Sequence, residues 1–294
     1  MNDVKTFEEL ILISDKTGKR IYEIVQEIES KSLEIAVSAV REKVKNNLEE
    51  MKAAIHRGLS SSELSFSGMC GDDCQKLKYR YASSRSLFSD TFQKILLYAL
   101  ATVEENARMG KIVACPTAGA CGIVPAVLVA VSESLNSTED QQINALITAG
   151  AIGKIVSNKM ALAGAVMGCQ GECGVAASMA AASVVELSSG TTSQIINAAA
   201  LALKNIMGLV CDPVAGLVEV PCVKRNPFLA MHSIVAAELA QANITSVIPI
   251  DEIVDATKQV GQLMSVSLKE SSEAGLARTK TGIKITEKLN KSLQ

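Results

Sequence analysis

Tryptophan is absent from this 294-residue chain, and five phenylalanines and four tyrosines are its only other aromatic rings. A surface that stacks nucleobases needs such rings, and so few leave none to spare for it. Alanine, glycine and valine abound instead, a composition that suits closely packed helices better than a β-sandwich. Charge of one sign is also lacking. Twenty-nine basic residues stand against thirty-one acidic ones, so there is no electrostatic footprint for nucleic acid, and none is expected as a partner. The opening MNDVKTFEEL lacks the basic start and apolar core of a signal peptide. The expected compartment is the cytoplasm, where the eight cysteines stay free thiols. A chain of this length buries a core without disulfide staples.

Uninterrupted apolar runs are scarce too. Residues 112–132, IVACPTAGACGIVPAVLVAVS, carry no charge and are long enough to cross a bilayer, yet Pro116, Gly119, Gly122 and Pro125 break them. A buried loop running into a core helix is the better reading, and no membrane partner is expected. Elsewhere helical spacing prevails. Residues 19–57 are charge-laced, with Ile21, Val25 and Ile28, then Leu33, Ala36, Val40, Val44 and Leu48 recurring at helical intervals, which predicts one or two solvated amphipathic helices. Ser89 opens a helix that Gly110 closes. Thr138 with Gln141, and Thr191 with Gln194, form capping-box patterns at two further helix starts. Asn226 followed by Pro227 predicts another start, and Asp251 begins the last strong helix.

No β-alternation or fixed-period repeat appears. The expected fold is all-α, a single helical domain over residues 1–294. Its amphipathic helices fill 1–57, a helical core fills 58–294, and loops lie at 58–77, 112–123, 164–174 and 208–226. All eight cysteines (70, 74, 115, 121, 169, 173, 211 and 222) fall on those loops. Thiols serving only as core filler favour helix faces, so the distribution points to chemistry.

Several chemistries lack their parts. Structural zinc sites show paired C-x2-C knuckles, but Cys70 with Cys74 and Cys169 with Cys173 are each separated by three residues. Neither a thioredoxin-like C-x-x-C nor a ferredoxin C-x2-C-x2-C run occurs. A nucleophilic cysteine needs a base, and His56 and His232 are the only histidines. Lone histidines are far more often solvated or packed than catalytic, as expected of His56 on the charged helix and His232 on a core helix. No glycine run follows a strand to cradle a phosphate, which argues against pyridoxal phosphate and nucleotide cofactors. What remains is a cluster held by cysteines distant in sequence.

The stretch GLVCDPVAGLVEVPCVKRN, residues 208–226, resembles the signature of iron-sulfur-dependent L-serine dehydratase, α chain. The resemblance continues in CPTAGACGIVP (115–125) and GCQGECGVAASMAAA (168–182), and more loosely in SGMCGDD (67–73) and SEAGLARTKTG (272–282). It implies that Cys169, Cys211 and Cys222 bind three irons of a 4Fe-4S cluster. The fourth iron, without a protein ligand, would act as a Lewis acid for the β-hydroxyl of L-serine, giving pyruvate and ammonia. It also implies a separate β chain as partner, supplying acid-base and substrate groups that this chain does not visibly carry. Amide-rich loops suit a substrate carboxylate, which makes Ser67, Asp73 and Thr117 the expected substrate contacts.

Three loops depart from the family pattern. Gly71, Asp72 and Asp73 stand where SG-x-x-GGD is usual, Met167 replaces the first of two glycines, and RET-x-x-GGLA is replaced by Lys269, Glu270 and Ser271, later Ala274 and Gly275. Lysine in place of arginine loses bidentate carboxylate binding. The pattern assigns no role to Cys70, Cys74, Cys115, Cys121 or Cys173, which pack as small apolar groups on the plainer reading. The alternatives are the same chemistry on threonine or cysteine, and a non-catalytic divergent subunit.

Overall fold

The computed structural model describes residues 4–292 and is all-α. Among those residues the only β-pairing is two isolated bridges. Three helices lead: α1 (Phe7–Thr17), α2 (Ile21–Ser32) and α3 (Val37–Ser60). Residues 19–57 thus form two helices, broken at Glu34, which takes a left-handed φ of 55°. The earlier α1 was not read from the pattern, although it opens on a full capping box between Thr6 and Glu9.

The centre of the molecule is α9 (Val175–Leu187), all thirteen residues of which are buried. Its alanine-rich sequence keeps the side chains short, so α6 (Ile123–Ser134), α7 (Glu139–Lys159), α10 (Thr192–Lys204) and α11 (Cys222–Gln241) pack directly around it. Helix α6 is apolar and buried over its first ten residues. It is the core helix expected downstream of residue 112, and no described helix is long and apolar enough to cross a membrane. Most polar groups within this core are satisfied locally, Ser132 Oγ of α6 being an exception. Ser178 Oγ donates to the Ala199 carbonyl at 2.9 Å, and Glu186 takes Thr148 Oγ1 at 3.0 Å beside Arg20. Phe7, Leu10, Ile21 and Ile24 of the leading helices join the same apolar cluster as α6 and α9. Helix α5 (Asp90–Ala107), with Ser89 at its N-cap position, presses so closely on α3 that a Cβ at Gly58 would run into the Ala101 carbonyl oxygen.

The capping boxes at Thr138 and Thr191 form as predicted. Three expectations are corrected. Helix α11 begins at Cys222, not Asn226. Asn226 lies inside the helix and does not open it: its side chain donates to the Gly119 carbonyl at 2.9 Å and the Cys222 carbonyl at 3.0 Å, and accepts from the Gly122 amide at 2.9 Å. Second, not every cysteine is on a loop: Cys74 lies in α4 (Asp73–Ser83) and Cys222 opens α11. Third, α12 (Ile250–Leu263), with Asp251 in its first turn, is not the last helix. The amphipathic α13 (Lys280–Ser292) follows, with only Gly282 buried.

Candidate active site

After the short helix α8 (Gly164–Met167), Gly168 turns the chain with a φ of 72°, and residues Gln170–Gly174 wind as a π-turn before α9. A π-turn inserts one residue into a helix, and such turns recur at functional sites. Here it sits directly after Cys169 and carries Glu172 and Cys173. Gln170 binds this turn to the second cysteine segment. Its backbone amide donates to Leu209 O at 3.1 Å, its Oε1 accepts from the Gly208 amide at 2.9 Å, and its Nε2 reaches Thr257 O at 3.2 Å.

The second segment is tied from the other side by the chain after α12. Cys211 N donates to Leu268 O at 2.9 Å and Glu270 N to Cys211 O at 2.6 Å, a short parallel pairing that brings Glu270 to the thiols. Asp212 accepts from Arg225 at 2.9 Å and from the Leu276 amide at 2.8 Å, while Arg225 also donates to Val210 O at 2.9 Å. Ser272 Oγ closes the strap on Pro213 O at 2.7 Å. Residues remote in sequence thereby face one another.

The thiols of Cys169, Cys211 and Cys222 are buried and feel one another's charge. Burial first, then Cys169, pushes Cys222 up to about 12, and the same causes raise Cys211. Cys169 goes the other way. A hydrogen bond with the Cys173 thiol and the Arg225 guanidinium hold it below the ordinary thiol value, against its own burial. It is the natural thiolate of the three. Burial raises the Glu172 carboxyl; Thr117 opposes that shift, and the like charge of Glu270 adds to it.

A Cβ placed on Gly164 would meet Glu172 Oε2 at 2.9 Å, Cys211 Sγ at 3.0 Å and Glu270 Oε2 at 3.3 Å. The glycine therefore keeps open a hollow walled by a thiol and two carboxylates. At its edge, Thr117 Oγ1 is buried near Glu172 without a hydrogen-bond partner of normal length. No three His, Cys, Asp or Glu side chains among the described residues converge on one point, as a single metal ion would require. A cubane distributes its thiolates over different irons, so three separate thiols, one of them walling the hollow, match it in ligand type and number.

The expected substrate contacts divide. Thr117 lies at the cysteine hollow. Ser67 and Asp73 lie against the segment 219–224: Ser67 Oγ donates to Glu219 Oε2 at 2.6 Å, and Asp73 pairs with Lys224 and with Lys76 at 3.5 Å. The Asp73 amide donates to the buried Glu104 at 2.9 Å, which holds the start of α4. His56 is exposed on α3, and His232 bonds the Ala202 carbonyl at 2.9 Å, as their plain readings expected. Cys70, Cys74, Cys115 and Cys121 are buried, Cys70 against Glu219, and each thiol is pushed up to about 12, first by burial. Cys173 alone of the extra cysteines joins the site.

The departures have local explanations. Asp72 has a φ of 63°, a left-handed conformation that glycine adopts freely and aspartate tolerates. Met167 is buried against Gly171 and Gly261, behind the Cys169 turn. Lys269 serves through its backbone, paired with Cys211. Nothing in the structure explains Ala274. Glu172, Glu270 and Arg225 were missed as site residues. The signal for Glu172 was its place between Cys169 and Cys173; nothing local marks Glu270.

Residues 16–277 match the profile of a family described as serine dehydratase alpha chain. A probable L-serine dehydratase, alpha chain, of Bacillus subtilis is 45% identical over 284 residues, covering 97% of this chain and 92% of that protein. The L-serine dehydratase, alpha chain, of Peptoniphilus asaccharolyticus is 40% identical over 283 residues, 96% of this chain and 97% of that one. The L-serine dehydratase of Streptomyces coelicolor is 35% identical over 282 residues, 93% of this chain and 60% of that protein.

Proposed function

Because the chain belongs to the serine dehydratase alpha-chain family, we propose that it deaminates L-serine to pyruvate and ammonia at the hollow between its cysteine segments. Cys169, Cys211 and Cys222 are the residues to hold a 4Fe-4S cluster there. The observation that carries this reading is that three buried thiols from two distant segments come close enough to feel one another's charge, with the space beside Cys211 kept open by Gly164. When bound, such a cluster supplies a Lewis acid for the departing β-hydroxyl.

The chain's own residues do the rest. Cys169, already favoured as thiolate by Cys173 and Arg225, needs the least rearrangement to become a ligand. Arg225, locked by Asp212 and Val210 O, keeps a positive charge beside a site that gathers thiolates and carboxylates. Glu172 takes the Cα proton on a carboxylate oxygen, because of the two acids that line the hollow it is the one beside Thr117. Loss of that proton and of the hydroxyl as water leaves an aminoacrylate, whose imine tautomer takes up water to give pyruvate and ammonia. The name "alpha chain" on the relatives supports a separate partner chain for this protein as well.

The test is anaerobic iron and sulfide analysis with electronic absorption, followed by an ammonia-release assay with the partner chain on serine, threonine and cysteine. The reading expects a cluster, lost in a Cys211→Ser/Cys222→Ser variant, and release from serine foremost. A wild-type protein without iron even after reconstitution would sink it.

A further inference from the structure

Five acidic side chains among the described residues are buried: Glu104, Glu105, Glu186, Asp212 and Glu219. Three have a cation within ion-pair distance: Glu105 pairs with Arg57 and Arg108, Glu186 with Arg20, and Asp212 with Arg225. Glu104 has none, but both its oxygens accept backbone amides at the start of α4. Glu219, only 6% exposed, has no cation within ion-pair distance among the described residues, and one of its oxygens is left without a donor. The two cations that follow it on α11 are engaged elsewhere, Lys224 with Asp73 and Arg225 with Asp212.

Its two oxygens are also unequal. Oε2 accepts from Ser65 Oγ at 2.6 Å, Ser67 Oγ at 2.6 Å and Cys70 Sγ at 3.1 Å, three neutral donors from one loop. Oε1 accepts nothing among the described residues, and it is not sealed from the outside. A carboxylate this deep needs a counter-charge, because burial without one is costly. Three donors on Oε2 fix the orientation of the group while leaving Oε1 to receive that charge.

Position says where the cation comes from. The Glu219 carbonyl accepts from Val223 N at 2.9 Å, so Glu219 sits on the turn that delivers Cys222. Its neighbour Val218 and Glu172 wall the same glycine, each 3.4 Å from where a Cβ on Gly119 would lie. We propose that Glu219 is the residue that binds the α-ammonium group of the amino-acid substrate, through Oε1. Ser65, Ser67 and Cys70 orient its carboxylate, so Ser67 acts through Glu219 and does not itself touch the substrate. The inference rests on the serine reading above and adds to it the group that selects an amino acid over a hydroxy acid.

The experiment compares L-serine with 3-hydroxypropionate, which is serine without its ammonium, on the anaerobic holoenzyme with its partner chain. Glu219→Gln should raise KM for L-serine about thirtyfold or more, as expected when one partner of a buried charge pair is neutralised. Its kcat should fall by less than about threefold, and the inhibition constant of 3-hydroxypropionate should stay within about twofold. Iron content should not change. An unaltered KM overturns the proposal, as does equal weakening of both ligands, which would mark Glu219 as a loop prop or as counter-charge to the partner. Should Glu219→Gln fail to fold, Ser67→Ala keeps the carboxylate and removes one anchor; it should raise the serine KM several-fold and leave 3-hydroxypropionate unmoved, and the opposite pattern refutes the assignment. If the wild-type protein does not turn serine over, the functional reading fails separately. Serine is then not consumed, and calorimetry with the same two ligands still tests Glu219.

Discussion

The helices around α9 and the loops around Cys211 are both buried, but they are held by opposite means. Helix α9 is sealed mainly by apolar contacts, its two hydroxyls bond to carbonyls nearby, and only Glu186 near its end makes a charge pair, with Arg20. The cysteine segment is sealed by clasps: Gln170 to Gly208, Asp212 to Arg225 and Leu276, Ser272 to Pro213, Glu219 to the serine loop. Apolar packing is indifferent to direction, so it gives a rigid block but fixes no single atom's aim. Hydrogen bonds and charge pairs are directional, so they can hold a thiol or a carboxylate at a chosen orientation. In this molecule stability and chemistry lie in neighbouring regions built from different interactions.

That division can be broken from either side. Replacing Cys211 and Cys222 together by serine should abolish iron content and activity while helical circular dichroism persists. A collapse of the helical signal would mean that fold and site are one unit. Glu172→Gln should come next, lowering kcat by about 10²- to 10⁴-fold through loss of a proton acceptor, with iron retained; steady-state kinetics beside iron analysis reads both. Leu128→Ala, a truncation of a fully buried side chain in α6, should cost about 2–5 kcal/mol in denaturant unfolding, yet leave activity per folded molecule unchanged. Smallest is Thr191→Ala. It removes the hydroxyl that accepts from Gln194 N at 3.2 Å and should cost about 1 kcal/mol with no effect on activity. A core variant that altered kcat, or a site variant that lowered stability by as much, would undo the contrast.

The same contrast explains what could be read in advance. The caps at Ser89, Thr138 and Thr191 are local signals a few residues long, and each marked its helix start. The buried helix after residue 122 declared itself by composition. Asn226 misled because its amide serves a distant loop, a contact that no nearby residue reveals. Helix α13 was passed over because it buries almost nothing, so little in its sequence requires a core. The three cysteines stood out through family resemblance alone, and the clasps that tie their segments together, Gln170 to Gly208 and to Leu209, were not legible. Glu270 was not legible, since its place beside Cys211 depends on a backbone pairing between segments far apart in the chain.

That pairing also sets an order of events. The hollow has walls from Thr117, from the turn at 169–173, from the loop at 211–225 and from the strap at 268–276. A chain emerging from the ribosome folds its earlier helices first, and the strap at 268–276 is made after every other wall. Whatever group the thiols receive therefore finds its chamber closed only once that strap has emerged, and a product cut before residue 268 would present its cysteines with one side missing.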